Sequence, residues 1–317
     1  MKKILSLFLG IVLMLALAAC GNNKKVDIVS TCFAGYDFSR EIAKGKLSSD
    51  MLLKPGEELH DYSPTVSDIE KVLESKIFIY IGGESDSEFV EHDILPEINK
   101  DKTIVINMMD VVKNGGKTYE EEDPESYVDD DEHEEEEEYD EHVWNSITNA
   151  KLISKTISDA IIKIDKNNKE FYEKNTNDYI ESLTKIDNSI KKVIADSSKN
   201  LIIFADRFPL LYFVKEYNLE YDAAFKGCDT SKEANPKTIE SLTKKIIDND
   251  INVIFVIELS EAKIANTIVD ECKKSGKNVQ IKTFYTMHNV SKNDYEGNVS
   301  YIDFMIRNIG SLKEALK

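Results

Sequence analysis

Residues 169–197 read KEFYEKNTNDYIESLTKIDNSIKKVIADS, and this stretch decides the fold predicted for the chain. Its apolar side chains recur at three- and four-residue spacing, the period of one face of an α-helix. A single helix of this length would span about 43 Å, which is long for a globular domain. The pattern therefore predicts a strut that joins two halves of the molecule. The apolar face consists of Tyr172, Tyr179, Leu183, Ile186, Ile190 and Val193.

A second helical stripe precedes the strut, and a polar break at residues 165–168 separates the two. Isoleucine occupies every apolar position of this stripe, again at helical spacing. The segment is therefore predicted to be a separate helix that packs before the strut begins. Its members are Ile147, Ile153, Ile157, Ile161 and Ile164.

Short apolar segments alternate with helical patterns on both sides of these helices. Most are continuously apolar, as expected for parallel strands that are buried on both faces. Ser63-Pro64 and Asn235-Pro236 each place a capping residue before a proline, which predicts two helix starts. The alternation predicts an α/β fold with one layered domain on each side of the strut. The predicted strands are 26–32, 51–53, 76–81, 103–107, 201–205, 252–257 and 279–284.

The N-terminus has the pattern of a secretory signal peptide. Lys2-Lys3 precedes an apolar run at 4–19, which is short for a membrane span. Leu17-Ala18-Ala19-Cys20 resembles the bacterial lipobox, which predicts lipidation of Cys20 and attachment to the outer side of the cytoplasmic membrane. The predicted segments are a lipoprotein signal peptide (1–19), the lipidated Cys and tether (20–25), an N-terminal domain (26–168), a linking helix (169–198) and a C-terminal domain (199–317).

An acidic run lies within a predicted loop at 117–141 and dominates the charge of the protein. It carries 16 carboxylates between Glu120 and Glu141, no Lys or Arg, and one histidine, His133. Such a segment has too little apolar surface to form a core, and it should attract cations. Outside it the acidic and basic residues are nearly balanced, although the net charge is −19. No basic stripe is present, so nucleic-acid binding is not expected.

Metal-ligating residue types follow several predicted strands. His60 lies in a loop after the strand at 51–53, His288 follows the strand at 279–284, and His142 precedes a helix. Asp206 and Glu258 come directly after strands at 201–205 and 252–257. Ligands of open α/β sheets bind outside the carboxyl ends of strands, so these side chains are candidates for one cleft.

Three further cysteines are present: Cys32, Cys228 and Cys272. An odd and small number of cysteines does not indicate a disulfide framework, and any pairing among them stays open.

Two histidine motifs are specific in combination. One is the Gly-x-x-x-His-Asp-Tyr-x-Pro pattern at residues 56–64, which contains His60. The other is Asp-Glu-His-Val-Trp at 140–144, which contains His142. Together with Phe255-Val256-Ile257-Glu258 and the long central helix, they resemble a family of bacterial lipoproteins, the cluster A-I proteins that feed zinc or manganese to ABC importers. The resemblance covers nearly all of the chain after the signal peptide.

The resemblance implies two Rossmann-like α/β domains joined by a rigid helix, with a metal in the cleft between them. His60 and His142 carry over as ligands. The second domain departs from the usual zinc pattern, because Ala205 stands where most zinc-type members have His. His288, in His-Asn-Val-Ser, is expected to replace that imidazole. The fourth ligand stays open among Asp206, Glu258, Cys228, Glu58 and water.

The resemblance implies a monomeric, extracytoplasmic binding protein that delivers Zn²⁺ to an ABC permease, with no catalytic residues. Three imidazoles favour zinc, whereas two imidazoles with two carboxylates would admit Mn²⁺. The alternatives are a manganese-binding member, a surface zinc hydrolase and an adhesin, although no H-E-x-x-H motif is present. The acidic run with His133 is interpreted as a cation-rich approach to the cleft.

Overall fold

Two four-stranded parallel sheets form the framework of the protein in the computed structural model, which describes residues 25–60, 62–120, 139–225, 227 and 235–317. The strand order is β2-β1-β3-β4 in the first sheet and β6-β5-β7-β8 in the second. Both orders require crossover connections, which the helices supply. The strands are β1 Ile28–Ser30, β2 Ser49–Met51, β3 Ile77–Tyr80, β4 Ile104–Asn107, β5 Leu201–Phe204, β6 Glu220–Ala223, β7 Val253–Ile257 and β8 Gln280–Phe284.

The helices cover the sheets and connect the two domains, confirming the predicted α/β fold. Among the described residues, none of them combines the length and apolar character needed to cross a membrane. The α-helices are α1 Phe33–Ala43, α2 Val66–Glu74, α3 Glu84–Phe89, α4 Met108–Gly115, α5 Ile147–Ile164, α6 Lys169–Ala195, α7 Leu211–Tyr217, α8 Pro236–Asp248, α9 Lys263–Lys274, α10 Lys292–Glu296 and α11 Tyr301–Ala315. Short 3₁₀ helices at Val143–Asn145 and Lys166–Asn168 precede α5 and α6.

The predicted strands are confirmed, with two differences at sheet edges. β2 is Ser49–Met51, two residues earlier than predicted, because its register with β1 pairs Ser49 with Ile28. β6 was not predicted at all. Its residues Glu220 and Asp222 are not buried, since β6 is an edge strand, and so it lacks the continuous apolar run that marks a central strand.

The helix start predicted at Ser63-Pro64 is wrong by two residues. Helix α2 begins at Val66 with Thr65 as its N-cap. Thr65 Oγ1 accepts from the Asp68 amide, and the Asp68 carboxylate accepts from the Thr65 amide at 2.9 Å. This reciprocal capping box satisfies two otherwise unpaired donors, which decides where the helix begins. The second predicted start is confirmed, because Asn235 caps α8 with Pro236 at its first position.

Helix α6 is the predicted strut, with 27 residues and a length of about 40 Å. Its buried face includes Tyr172, Leu183 and Ile190, as the apolar spacing indicates. It packs against α1 and α5 of the first domain and against α11 of the second, so it contacts both domains.

One apolar core runs through both domains rather than stopping at their boundary. It joins the first sheet, α5, α6 and α11 to one face of the second sheet, where Phe204, Phe255 and Phe284 pack together. A smaller core lies under α8 and α9 on the opposite face of the second sheet. Because protein interiors are close-packed, a shared core restricts rotation of one domain against the other.

A buried ion pair also ties α1 to the N-terminus of α11. Asp37 accepts hydrogen bonds from Arg40 Nε at 2.7 Å and from the Tyr301 amide at 2.9 Å. Arg40 also donates to the carbonyls of Asn298 and Val299. Complete burial raises the pKa of Asp37 to about 6, although Arg40 and the Tyr301 amide oppose the shift. The contact fixes the angle at which the last helix crosses the first domain.

Truncation of a buried residue of the strut should destabilise the whole molecule. We expect Ile190→Ala to lower the free energy of unfolding by about 2–5 kcal/mol, because the residue is 1% exposed and leaves a cavity. Ile306→Ala is the matched control, since that side chain is 55% exposed and should change stability by about 0.5 kcal/mol or less. Denaturant unfolding measures both, and equal effects would contradict the assignment of the buried face.

The pH dependence of stability should report the burial of Asp37. Its folded pKa, about 6, exceeds its ordinary value of 3.8, so the folded state holds the proton more tightly. The stability this group contributes is therefore present below about pH 4 and lost as pH rises through about 6. The free energy of unfolding of the wild type relative to Asp37→Asn should fall over that range by on the order of 2–3 kcal/mol.

Asp303→Asn provides a control for which the pH dependence of stability should have the opposite sign. Partial burial raises the pKa of Asp303, but hydrogen bonds from Ser300 outweigh it and lower the pKa overall. Its contribution is present above the ordinary pKa and lost as pH falls, so the difference between wild type and this variant should grow with rising pH. The same direction for both variants would contradict the account of Asp37.

Candidate metal centre

Three side chains from distant parts of the sequence converge between the two domains. His60, Glu141 and His288 each offer one ligand atom, and these atoms all lie within 4.8 Å of one another. His60 belongs to the loop after β2, and His288 belongs to the loop after β8. Both loops leave the carboxyl ends of parallel strands, where ligands of such sheets bind. The spacing is small enough for one ion to contact all three side chains.

His142 lies beside this group, oriented by the acidic residue two positions before it. Its Nδ1 lies 3.2 Å from Oδ1 of Asp140, and its amide donates to the same oxygen at 2.8 Å. Its Nε2 is 3.9 Å from Oε1 of Glu141, and its ring centroid is 5.2 Å from that of His288. A carboxylate on one ring nitrogen fixes the tautomer that leaves the metal-binding lone pair on the other.

Burial lowers the pKa of two imidazoles at the site, His288 and His60. Desolvation lowers the pKa of His288 well below its ordinary value of 6.5, and the neighbouring His142 and His60 lower it further. Desolvation also lowers the pKa of His60, although the carboxylate of Glu141 opposes that shift. Nε2 of His288 is buried and has no hydrogen-bond partner among the described residues. A neutral imidazole with an unpaired buried nitrogen is suited to a metal ion.

Glu141 is the site residue that sequence reasoning missed as a candidate. Its side chain is buried, and it accepts from the Ser85 amide at 2.9 Å and from the Ser85 hydroxyl. The sequence analysis used Glu141 only as part of the motif that carries His142 and did not consider it as a ligand. The turn into the 3₁₀ helix at Val143–Asn145 brings both carboxylate and imidazole inward. The signal was the position of Glu141 directly before His142 in the Asp-Glu-His-Val-Trp motif.

The carboxylates predicted from the second domain lie outside the converged group. Both oxygens of Glu258 accept from Thr286, one from its amide and one from its hydroxyl, each at 2.7 Å. Oδ1 of Asp206 accepts from the Arg207 amide, whereas its Oδ2 is buried with no partner among the described residues. Glu58 pairs with Arg207 at 3.3 Å. Glu258 therefore holds the loop that carries His288.

Trp144 connects the two halves of the cluster. Its indole Nε1 donates to the Thr286 carbonyl at 2.8 Å, two residues before His288. Its ring centroid lies 5.4 Å from that of His142 and 5.8 Å from that of His288. Tyr301 in turn donates its hydroxyl to the Trp144 carbonyl at 2.7 Å. The only tryptophan of the chain thus contacts imidazoles of both domains.

Backbone contacts tie together the loops that carry His60 and His288. The Gly56 amide donates to the Val290 carbonyl at 2.9 Å, and the Asn289 side chain donates to the Lys54 carbonyl at 3.0 Å. The two loops therefore contact each other across the domain boundary.

Several predicted residues lie elsewhere. Cys20, His133 and Cys228 are outside the described residues. Cys32 and Cys272 are free, buried thiols. The two ends of the acidic run meet each other, because Glu120 pairs with Tyr139 and the Asp140 amide donates to the Tyr119 carbonyl at 3.0 Å. Asp140, at the downstream end, contacts His142.

Known proteins resemble the chain over almost its whole length. The high-affinity zinc uptake system protein ZnuA of Bacillus subtilis (strain 168) is 28% identical over 332 residues, covering 99% of this chain and 98% of that protein. The manganese ABC transporter substrate-binding lipoprotein PsaA of Streptococcus mitis is 26% identical, covering 100% and 99%. The relatives therefore include proteins named for each metal.

Solved structures share the fold. The metal-dependent lipoprotein YcdH from Bacillus subtilis superposes with a TM-score of 0.72 and 25% identity, covering 92% of this chain and 99% of that one. The zinc-binding protein TroA from Treponema pallidum superposes with a TM-score of 0.72 at 20% identity, which supports the fold alone. Residues 28–315 match the profile of the family described as zinc-uptake complex component A, periplasmic. The chain therefore belongs to the ZnuA family of zinc and manganese ABC transporter substrate-binding proteins.

Proposed function

We propose that this protein captures Zn²⁺ outside the cytoplasmic membrane and delivers it to an ABC importer. The observation that carries the proposal is the convergence of ligand atoms from His60, Glu141 and His288 within 4.8 Å, across the boundary between two domains. The match of nearly the whole chain to zinc-uptake proteins supports the same function.

We propose that His60, His142 and His288 supply three imidazoles to the bound ion. Zinc is preferred over manganese because a nitrogen-rich, four-coordinate set suits Zn²⁺, whereas Mn²⁺ favours more oxygen ligands. Asp206 keeps one buried oxygen without a partner among the described residues, but that oxygen does not belong to the converged group. Glu258 is proposed to hold Thr286, and through it the loop of His288, rather than to bind the metal directly.

Ligands from both domains couple metal binding to closure of the cleft. Shifting the ratio of closed to open protein from 1:99 to 99:1 requires that the ion bind the closed form more tightly than the open form by about 5.5 kcal/mol. Structural zinc sites reach apparent binding free energies of about 10–16 kcal/mol, so the ion can supply this difference. The continuous core and the strut α6 oppose a wide hinge, so capture and release are proposed to need only small movements of the loops.

The fluorescence of Trp144, the single tryptophan, should report zinc binding in a titration. Binding at imidazoles within 6 Å of the Trp144 ring should change its fluorescence, because the indole senses charge and contact changes nearby. His60→Ala and His288→Ala should each weaken zinc affinity by more than about a hundredfold and reduce the signal at equal zinc. Chelator competition measures affinity, with manganese titrated in parallel.

His92→Ala is the matched control for these variants, because His92 is exposed and lies outside the cluster. It should bind zinc as the wild type does. Wild-type zinc affinity in both His60→Ala and His288→Ala would overturn the proposed site. Tighter binding of manganese than of zinc by the wild type would favour the second candidate, a manganese transporter, which the PsaA relatives represent.

The protein is further proposed to act as a monomer anchored by lipid at Cys20, with an ABC permease as its partner and no catalytic activity. The lipobox pattern and relatives named as lipoproteins support the anchor. The relatives support binding rather than hydrolysis, because they are named as zinc uptake and substrate-binding proteins.

The acidic run is proposed to raise the concentration of cations at the entrance to the cleft. Its ends pair at Glu120 and Tyr139, so residues 121–138 can be deleted with a short replacement linker. We expect the deletion to slow zinc uptake by cells at limiting zinc while leaving the affinity of the purified protein nearly unchanged. Loss of affinity in the purified deletion variant would contradict this role.

A further inference from the structure

We propose that Glu141 is the anionic ligand of the bound ion, so that the first domain supplies His60, His142 and Glu141 and the second supplies His288. This inference rests on the proposed function and names the fourth ligand of its site. The structural basis is that an oxygen of Glu141 lies within 4.8 Å of ligand nitrogens of both His60 and His288.

The surroundings of the Glu141 side chain favour a bound cation. The residue is 4% exposed, and no Lys or Arg among the described residues forms an ion pair with it. Its nearest titratable neighbour is instead the imidazole of His142, whose Nε2 is 3.9 Å from Oε1 of Glu141. Burying a charged group is costly unless the group is hydrogen-bonded and paired with an opposite charge or a metal ion. Ser85 supplies hydrogen bonds to Glu141, and a divalent ion at the centre of the cluster would supply the positive charge.

The first domain is built to hold this carboxylate in place. Ser85 donates to it from both amide and hydroxyl, and the Ser85 hydroxyl also lies 3.4 Å from His60 Nδ1. Gly83 leaves space for the side chain, because a Cβ there would overlap the Cβ and Oε2 of Glu141. Gly83 has φ −116, so glycine is needed for this space rather than for backbone conformation. Hydrogen bonds of this kind orient metal ligands in proteins.

The competing carboxylates do not converge with the imidazoles. Glu258, whose oxygens accept from Thr286, and Glu58, which pairs with Arg207, offer no ligand atom to the group formed by His60, Glu141 and His288. Asp206 retains one oxygen, but it does not join the group of converging ligand atoms. Three neutral imidazoles and Glu141 leave a bound Zn²⁺ with a net charge of +1, compatible with the low exposure of the site. The ion would then bind first to the N-terminal domain, and His288 would complete its coordination.

The test compares carboxylate variants of the full chain. Zinc affinity is measured by competition with a chromophoric chelator, and the visible absorption of bound Co²⁺ reports the ligand set. We expect Glu141→Gln to weaken zinc affinity by more than about a hundredfold and to change the Co²⁺ spectrum, with a smaller loss in Asp206→Asn and Glu258→Gln. Wild-type affinity and spectrum in Glu141→Gln, with the large loss in Asp206→Asn, would overturn the proposal.

A second variant keeps the test valid if Glu141→Gln fails to fold. Gly83→Ala retains every ligand atom but displaces the Glu141 side chain, and it should weaken zinc affinity by about ten- to a hundredfold. Unchanged affinity in Gly83→Ala would count against the proposal. The histidine variants separate the two claims: if His60→Ala and His288→Ala lose zinc while Glu141→Gln does not, this inference fails and the proposed function stands.

Discussion

The hydrogen bond from the Trp144 indole to the Thr286 carbonyl is the contact on which the proposed site depends. It joins the segment that carries His142 to the loop that carries His288. Glu258 fixes the other side of Thr286, and Tyr301 fixes Trp144 from the last helix. Imidazoles from two domains can meet at one point only because these buried donors and acceptors determine their separation.

The remainder of the structure maintains this separation. The strut α6 contacts both domains, and the core passes through their boundary, so there is little freedom for one sheet to move against the other. The loops are the parts that can respond to a ligand. They are tied across the cleft by a few backbone contacts, such as Gly56 to Val290, which can break at modest cost. A rigid frame with weakly joined loops suits a protein that must both hold and release an ion.

Much of the fold was predictable because buried strands and helix faces follow simple periodicities. The apolar stripe from Tyr172 to Ile190 predicted the strut. The predicted ends of β5, β7 and β8 placed the candidate residues at the carboxyl ends of parallel strands. Edge strand β6 was not predicted because it is only partly buried and lacks a continuous apolar run. Glu141 escaped because its location depends on a local turn and on the space left by Gly83, which lies far away in the sequence.

The central claim is that one ion binds between imidazoles of the two domains. The most direct measurement is an anomalous difference map, recorded at the zinc edge, from crystals of the mature protein grown with Zn²⁺. The account predicts one dominant peak about 2.0–2.1 Å from a ring nitrogen of His60 and of His288. A dominant peak at another place, with no density between these two rings, would contradict it.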